Sequence, residues 1–477
     1  MLDQPTRRSG LPVRCLGVAI GRALCALITV QLLGWSMPSH AQSVGQAAPA
    51  QDAAAAPEQA EPEAPESWAV HGQFTNVWQL QPAFHSPFQG AQSLSPAANG
   101  RETVDATLYL GIRPWQGAEI WINPEMDQGF GLSNTFGVAG YVSGEAYKLG
   151  ANVPYYQMPR GFFRQTIDLG GETEKVEPDL NQLGGSQTAN RIVLTIGKYS
   201  VADIFDTNKY AHDPRNDFLN WAIIDQGAFD YAANAWGYTY GAAAEWYQDW
   251  WTIRAGLFDL SVQPNSIALD NRFISQAQFV TELEERHTLW DQPGKLKLLY
   301  WLIRGNLGTY TDALALAAAT GQTPSTAAVR SYRSKAGIGL NLEQQIADDL
   351  GVFARASLSQ GNVEEVDFTD INQSVSVGLS LTGTRWGRSD DTVGLAGVVN
   401  QISHQAKEYF AAGGMGGIIG DGQLPHAGPE QIIEIYYSLA VFRFAHVSVD
   451  YQFVNNPAYD VARGPVSVFG VRLHAEF

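Results

Sequence analysis

Cysteine is all but missing from this 477-residue chain: there are two, Cys15 and Cys25, and both fall within the first forty residues. If that segment is removed on export, what remains has no thiol, which excludes disulfides, thiolate metal sites and cysteine nucleophiles. Charge is scarce as well, at 16% of residues, and lopsided, with 30 Lys and Arg against 48 Asp and Glu for a net charge of −18. Such a chain has neither the basic surface that binds nucleic acid nor the charge density of a disordered polymer. Beyond the first forty residues there is no apolar run of the eighteen or more residues that a membrane-spanning helix needs, so a helical membrane protein is excluded.

The first forty residues have the features of a secretory signal. Arg7, Arg8, Arg14 and Arg22 make a basic start, Ala23 to Trp35 is apolar but too short to span a bilayer, and Ser39-His40-Ala41 offers small residues before Gln42. A retained membrane anchor is the competing reading, and the residues before Cys25 make a poor lipobox. The expectation is a signal peptide over 1–41, whose loss of four Arg and one Asp takes the net charge from −18 to −21. Residues 42–66 are mostly Ala, Pro, Gln and Glu and bury too little apolar surface to offset the ordering of the chain, so a disordered linker is expected there.

From Trp68 onward the dominant pattern has a period of two. Val104, Ala106, Leu108, Leu110 and Ile112 alternate with Thr103, Asp105, Thr107, Tyr109 and Arg113; in a strand the two sets face opposite sides. The pattern recurs around Ile192–Ile196, Trp251–Leu257, Ala336–Leu342 and Val375–Leu381. It gives about sixteen segments, near 68–81, 101–114, 117–125, 155–169, 191–200, 231–246, 250–260, 272–285, 294–304, 333–345, 350–359, 373–382, 392–402, 430–442, 445–455 and 465–477. An even count that large suits a closed up-and-down barrel better than an open sheet, which would curl or split.

The connections support this. Trp115-Gln116, the residues near Gln248, and Phe444 make tight turns, whereas 82–100, 126–154, 201–230, 305–329 and 403–429 are long; short turns at one end and long loops at the other belong to the periplasmic and extracellular ends of an outer-membrane barrel. Segment 170–190 breaks the rule, being too long for a turn at its end. Alternation alone does not say whether the apolar face meets lipid or a core. The leader, the aromatic clusters at segment ends (Trp115, Trp246, Tyr247, Trp250, Tyr436, Tyr437) and the last strand favour lipid. In that strand Phe469, Val471, Leu473, Ala475 and Phe477 share one face and Arg472, His474 and Glu476 the other, and a closing strand ending on an aromatic resembles the signal that the bacterial barrel-assembly machinery reads. The expected fold is therefore all-β: a transmembrane antiparallel up-and-down β-barrel of about 16 strands over 67–477, with long extracellular loops.

Several motifs resemble the bacterial carbohydrate-selective porin (OprB-type) family: Ile196-Gly197-Lys198-Tyr199 through Asp203-Ile204-Phe205-Asp206, Asp213-Pro214-Arg215, Phe218-Leu219-Asn220-Trp221, Phe163-Arg164-Gln165-Thr166, Gly339 to Gln344, and Asp450-Tyr451-Gln452-Phe453 before Asn456-Pro457. The likeness spans most of the chain from Trp68 and rests on the set rather than on any one motif. It implies a sixteen-stranded outer-membrane porin passing small sugars through a constriction lined by Arg and Glu. The linker at 42–66 and the segment 170–190, an expected insertion, depart from the family pattern.

A passive channel needs no catalytic group and no cofactor; it trades a sugar's hydration for weak hydrogen bonds. On the polar face lie Arg113, Glu119, Arg164, Arg191, Arg254, Glu343, Arg355, Glu434, Asp450 and Arg472, with Trp121 sharing that parity and offering a ring to an apolar sugar face. Guanidiniums would donate to hydroxyls and carboxylates would accept. Arg164 and Arg355 stand out because their flanking residues keep the alternation. The plainer alternative for any of these charges is that it only wets the lumen. The glycine-rich stretch in 403–429 lacks the Gly-Lys-Ser/Thr ending of a phosphate loop, Tyr409-Phe410-Ala411 beside it is a candidate constricting segment or a surface loop, and the nine His lack metal-ligand spacing. Residues 311–319 favour a helix within an external loop. A β-rich polysaccharide-acting enzyme, using Glu282, Glu284 or Glu285, is the alternative function, since glycoside hydrolysis needs two carboxylates at a set separation. The expected partners are small sugars, outer-membrane lipid and the assembly machinery, with association of several barrels left open.

Overall fold

In lipid every backbone N–H and C=O must be paired within the protein, so strands are tolerated there only when their sheet closes on itself. The computed structural model describes residues 64–477 apart from 147–149, 271, 273–274 and 368. The expected signal peptide and most of the expected linker lie outside the described residues. Sixteen strands follow in order: β1 (Trp68–Gln81), β2 (Asn99–Ile112), β3 (Ala118–Gly129), β4 (Ala151–Val176), β5 (Gly185–Tyr199), β6 (Thr239–Gln248), β7 (Trp251–Asp259), β8 (Ala277–Leu289), β9 (Gln292–Leu307), β10 (Ser331–Ala347), β11 (Leu350–Ser359), β12 (Gln373–Gly383), β13 (Arg388–Gln401), β14 (Glu430–Phe442), β15 (Ala445–Asn455) and β16 (Val466–Glu476). Each pairs antiparallel with its neighbours in sequence, and β1 pairs with β16 to close the barrel. The final residue completes the seam: the Phe477 N–H donates to Gly72 O at 3.0 Å and the Gly72 N–H to Phe477 O at 2.9 Å.

The alternation resolves as a lipid face and a lumen face. Val70, Leu108, Ile122, Leu194, Leu257, Leu298, Leu340, Val377 and Phe469 are exposed on the outside, whereas Gln73, Asp105, Glu125, Arg254, Glu282, Lys297, Arg355, Glu434 and Arg472 are buried within. At the short-turn end Trp68, Trp115, Trp246, Trp250, Trp290, Trp386, Phe442 and Phe444 are exposed, a belt of rings where one edge meets water. Every short turn joins strands at this end, and the long loops 82–98, 130–150, 200–238, 260–276, 308–330, 360–372, 402–429 and 456–465 lie at the other.

Each expected segment corresponds to one strand, with shifted ends. The segment expected at 231–246 begins as strand only at Thr239. Residues 231–238 lie in the lumen as loop, with 231–235 buried and Ala232 N–H donating to the Gln278 side chain at 2.6 Å, so their apolar content reflects packing inside the barrel rather than lipid. The segment expected at 272–285 runs instead from Ala277 to Leu289. Residues 170–190, the expected insertion, lengthen the β4–β5 hairpin, with register shifts at Asp168/Gly170 and Gly170/Thr173. The external helix expected over 311–319 spans Tyr310–Thr320, capped by the Thr309 hydroxyl accepting from Asp312 N–H and ended by Gly321 at φ 71°. A second helix, His404–Ala411, turns Tyr409 and Phe410 inward against Tyr310, with ring centroids 4.9 and 6.4 Å away.

Candidate functional site

Loop 200–238 leaves the end of β5 and folds into the lumen, and the barrel's inward side chains hold it there. On β8 the Glu282 carboxylate accepts the Asp206 N–H at 2.9 Å; on β10 Glu343 accepts from Lys209 N–H at 2.9 Å and Asn341 bonds Asn208 at 2.7 Å. From β11 Arg355 donates to Ala211 O (2.7 Å), Ile223 O (2.8 Å), Asp206 O (3.1 Å) and Asp206 Oδ1 (3.3 Å). Glu434 on β14 accepts the N–H groups of Leu219 (2.5 Å) and Asn220 (3.0 Å), and Arg472 on β16 donates to Pro214, Asp217 and Asn216 carbonyls at 2.6–2.9 Å. Asp450 on β15 bonds the Gln452 side chain at 3.1 Å, and Gln452 in turn bonds Asn220. One strand of polar residues after another is thus spent on backbone that would otherwise be buried without partners.

The loop therefore packs along the side of the lumen bounded by β8 to β16 and leaves part of the wall of β3 to β7 uncovered, touching it at Glu125, Arg160 and Phe258. Between them lies a cavity of about 1130 Å³ that reaches the short-turn end at Pro65, Gln116 and Glu476. Its strand wall carries Glu119, Arg160, Arg164, Arg191, Glu245, Tyr247 and Arg254, and the loop faces it with Asp203, His212, Asp213, Arg215, Trp236 and Tyr238. Cations and carboxylates alternate across it. Arg164 lies 3.4 Å and Arg113 3.3 Å from Glu119; Arg160 grips Asp203 through two bonds of 2.8 and 2.6 Å; Arg254 meets Glu245, Glu282 and Glu284 at 2.9, 2.8 and 3.0 Å. Arg215 reaches back to Asp105 (2.9 Å), Glu125 and Glu145 (both 3.3 Å) and so ties the loop to β2 and β3. Arg191 sits over the Tyr247 ring at 4.0 Å and Arg160 over Tyr238 at 5.1 Å, which holds the guanidiniums against aromatic faces. In the loop, burial works against protonation of His212, but the Asp225 carboxylate 3.6 Å away outweighs it and raises the imidazole above its ordinary value.

Of the residues singled out from parity, Arg113, Glu119, Arg164, Arg191 and Arg254 border this cavity. Glu343, Arg355, Glu434, Asp450 and Arg472 lie on the other side of the lumen among the contacts that moor the loop. Trp121 is fully buried, its Nε1 donating to Glu119 at 2.9 Å and its ring lying on Gly111, where a Cβ would come within 2.5 Å of it. Tyr409 and Phe410 do not border the cavity. Glu282 and Glu284 share Arg254, and Glu285 pairs with His287 at 2.8 Å, so the three carboxylates weighed for hydrolysis are each held by a basic side chain.

Arg160, Asp203, Arg215 and Glu245 also border the cavity and were not singled out; Tyr247 borders it too, and like Tyr436, which packs on Phe218, it points into the lumen rather than to the lipid boundary expected of both. Two signals pointed to the four charged residues. Arg160 and Glu245 share the parity of Arg164 and Tyr247 on their strands, and Asp203 and Arg215 sit within the motifs quoted for the family resemblance. Those motifs cover 196–221, and most of them lie in the loop that fills the lumen.

The model of the carbohydrate-selective porin family, OprB, matches residues 91–477. The chain belongs to this family. It is thus an outer-membrane channel of the Gram-negative type that passes small sugars. Among solved structures, the high-pH structure of Pseudomonas putida OprB is similar at 15% identity and a TM-score of 0.64, covering 86% of this chain and 94% of that one. The low-pH structure of the same protein aligns at 11% identity and a TM-score of 0.47, over 86% of this chain and 93% of that one. The outer membrane channel DcaP of Acinetobacter baumannii aligns at 9% identity and a TM-score of 0.46, over 86% and 97%. No curated protein matches the sequence.

Proposed function

We propose that sugars cross this porin through the cavity between loop 200–238 and the wall of β3 to β7, and that Arg160, Arg164, Arg191 and Glu119 exchange hydrogen bonds with sugar hydroxyls while Tyr247 and Trp236 offer ring faces. The observation that carries this reading is the clustering of cation–carboxylate pairs and rings on the one wall that the loop leaves partly uncovered. The cavity, at about 1130 Å³, is a little larger than the roughly 300–1,000 Å³ of ordinary ligand pockets, as suits a passage rather than an enclosed site. Arg164 is the most accessible of these guanidiniums, with 28% of its side chain exposed, and its partner Glu119 keeps it aimed across the opening. Pairs of this kind favour weak, multipoint binding, which lets a solute enter and leave. No bond need break, so the channel works without catalysis. The chain is exported through the leader at 1–41 and recognised for assembly by the strand ending at Phe477. The test is single-channel conductance in a planar bilayer titrated with monosaccharides and disaccharides: block that Arg164→Ala weakens supports the reading, and a sugar-insensitive conductance refutes it.

A further inference from the structure

The β4–β5 hairpin outruns its neighbours. β3 pairs with β4 only as far as Gln165 and β6 with β5 only as far as Arg191, so residues 167–190 form a two-stranded ribbon that leaves the barrel at the short-turn end. The ribbon bends where Gly170 and Gly171 adopt φ of 107° and 95°, conformations that a side chain strongly disfavours, and where the pairing register slips. Beyond the bend, its tip returns to the lumen. Asp179 and Gln182 close a tight turn through two backbone bonds of 3.1 and 3.0 Å, with Asn181 at φ 58°. Leu183 is fully buried. The tip is fastened by the cavity's own groups: Arg164 donates to Asn181 O at 2.8 Å, Arg113 to Gly184 O at 3.0 Å, and Glu119 accepts from Leu183 N–H at 3.4 Å. From the chain entering β1, Glu66 N–H donates to Gly184 O at 3.0 Å and the Glu66 carboxylate accepts the Gly184 N–H at 2.7 Å.

We infer that this hairpin tip is a sill across the periplasmic mouth of the channel, a second size-selecting constriction below the one formed by loop 200–238. The tip borders the same cavity as the sugar-binding wall, and it occupies hydrogen-bonding capacity of Arg113, Arg164 and Glu119 that a passing sugar would otherwise use. The inference rests on the proposal that sugars use this cavity. A sugar leaving toward the periplasm must pass beside the tip and the arginines it is bonded to, so the sill narrows the mouth and helps set the largest solute that passes.

The experiment compares the full-length porin with a variant in which 177–184 is replaced by Asn-Gly, a two-residue hairpin turn. Both are reconstituted for single-channel conductance and for liposome swelling with mono-, di- and trisaccharides. A shortened hairpin should raise conductance about twofold, because the narrowest cross-section dominates resistance, and should admit sugars the parent excludes. Unchanged conductance and an unchanged size limit overturn the inference. Should that variant fail to assemble, Leu183→Asp decides the matter: it keeps the chain length and loosens the tip, so flicker between two conductance levels is expected, and a single parental level overturns the inference. Parent channels that sugars do not block would refute the cavity route itself, whereas sugar-blocked parents with unaltered variants would refute the sill alone.

Discussion

Replacing Arg355 with Ala should release loop 200–238 without opening the barrel. The guanidinium is 1% exposed and makes four hydrogen bonds, three of them to loop carbonyls; its loss takes the donor from Ile223 O and Ala211 O, while Asp206 O keeps Asn341 Nδ2 at 3.1 Å. Breaking a buried ion pair by removing one partner costs about 3–5 kcal/mol. The lower end applies here because Asp206 keeps other donors: Gln226 N–H at 2.7 Å, Gln226 Nε2 at 3.0 Å and Asn341 Nδ2 at 2.6 Å. With tenfold in equilibrium for each 1.4 kcal/mol, about 3 kcal/mol corresponds to a local opening roughly a hundredfold more frequent. The assay is hydrogen exchange on the detergent-solubilised porin: amides of 200–238, including Leu219 and Asn220 on Glu434, should exchange about a hundredfold faster, while amides of β10 to β12 keep parental rates. In bilayers the same variant should show noisier and larger current steps. Parental exchange across the loop, or a uniform acceleration that includes the strands, would refute the claim that Arg355 acts as a mooring for the loop.

Arg164→Ala should leave thermal stability within about 1 kcal/mol, since a partly exposed ion pair contributes little. It should also raise the sugar concentration for half-block about tenfold, through loss of a charge-assisted bond of roughly 1.5 kcal/mol. Gly111→Leu puts a side chain into the space held by the Trp121 ring and should lower stability by about 1–3 kcal/mol, read as a lower melting temperature of the barrel; Trp121→Leu in the same chain should restore part of it. The His212–Asp225 pair gives a pH dependence of defined sign. With the folded-state value raised above the ordinary 6.5 or so, its stabilisation is complete below that pH and is lost as pH rises through the raised value. Exchange of the loop amides should therefore quicken as pH rises through that raised value, after correction for intrinsic rates, and His212→Gln should flatten that slope.

Period two was enough to find the barrel because lipid on one side and polar packing on the other leave each strand only one consistent way to face, and a one-residue slip would turn every side chain over. That constraint sorts residues by direction and says nothing about what they meet. Arg164 and Arg355 have the same inward parity and the same alternating flanks; one faces open space and the other is buried beneath a loop, and the difference lies in loop 200–238, whose course no strand pattern encodes. The loop did leave a mark in composition. Residues 221–235 are largely apolar, and their last part, from Tyr231, reads as the start of a strand, although it is buried against barrel side chains. A chain that packs a loop into its own lumen must give that loop a core-like composition and must give the facing strands buried carboxylates and guanidiniums to satisfy its bent backbone. Glu434, Glu343, Arg355 and Arg472 are such groups, so an inward charge on β10, β11, β14 or β16 is a structural requirement of filling the lumen there. On β3 to β7 loop 200–238 claims fewer of the inward charges: Arg160 holds Asp203 by its side chain, and Arg164 and Glu119 meet the backbone of the β4–β5 hairpin tip instead.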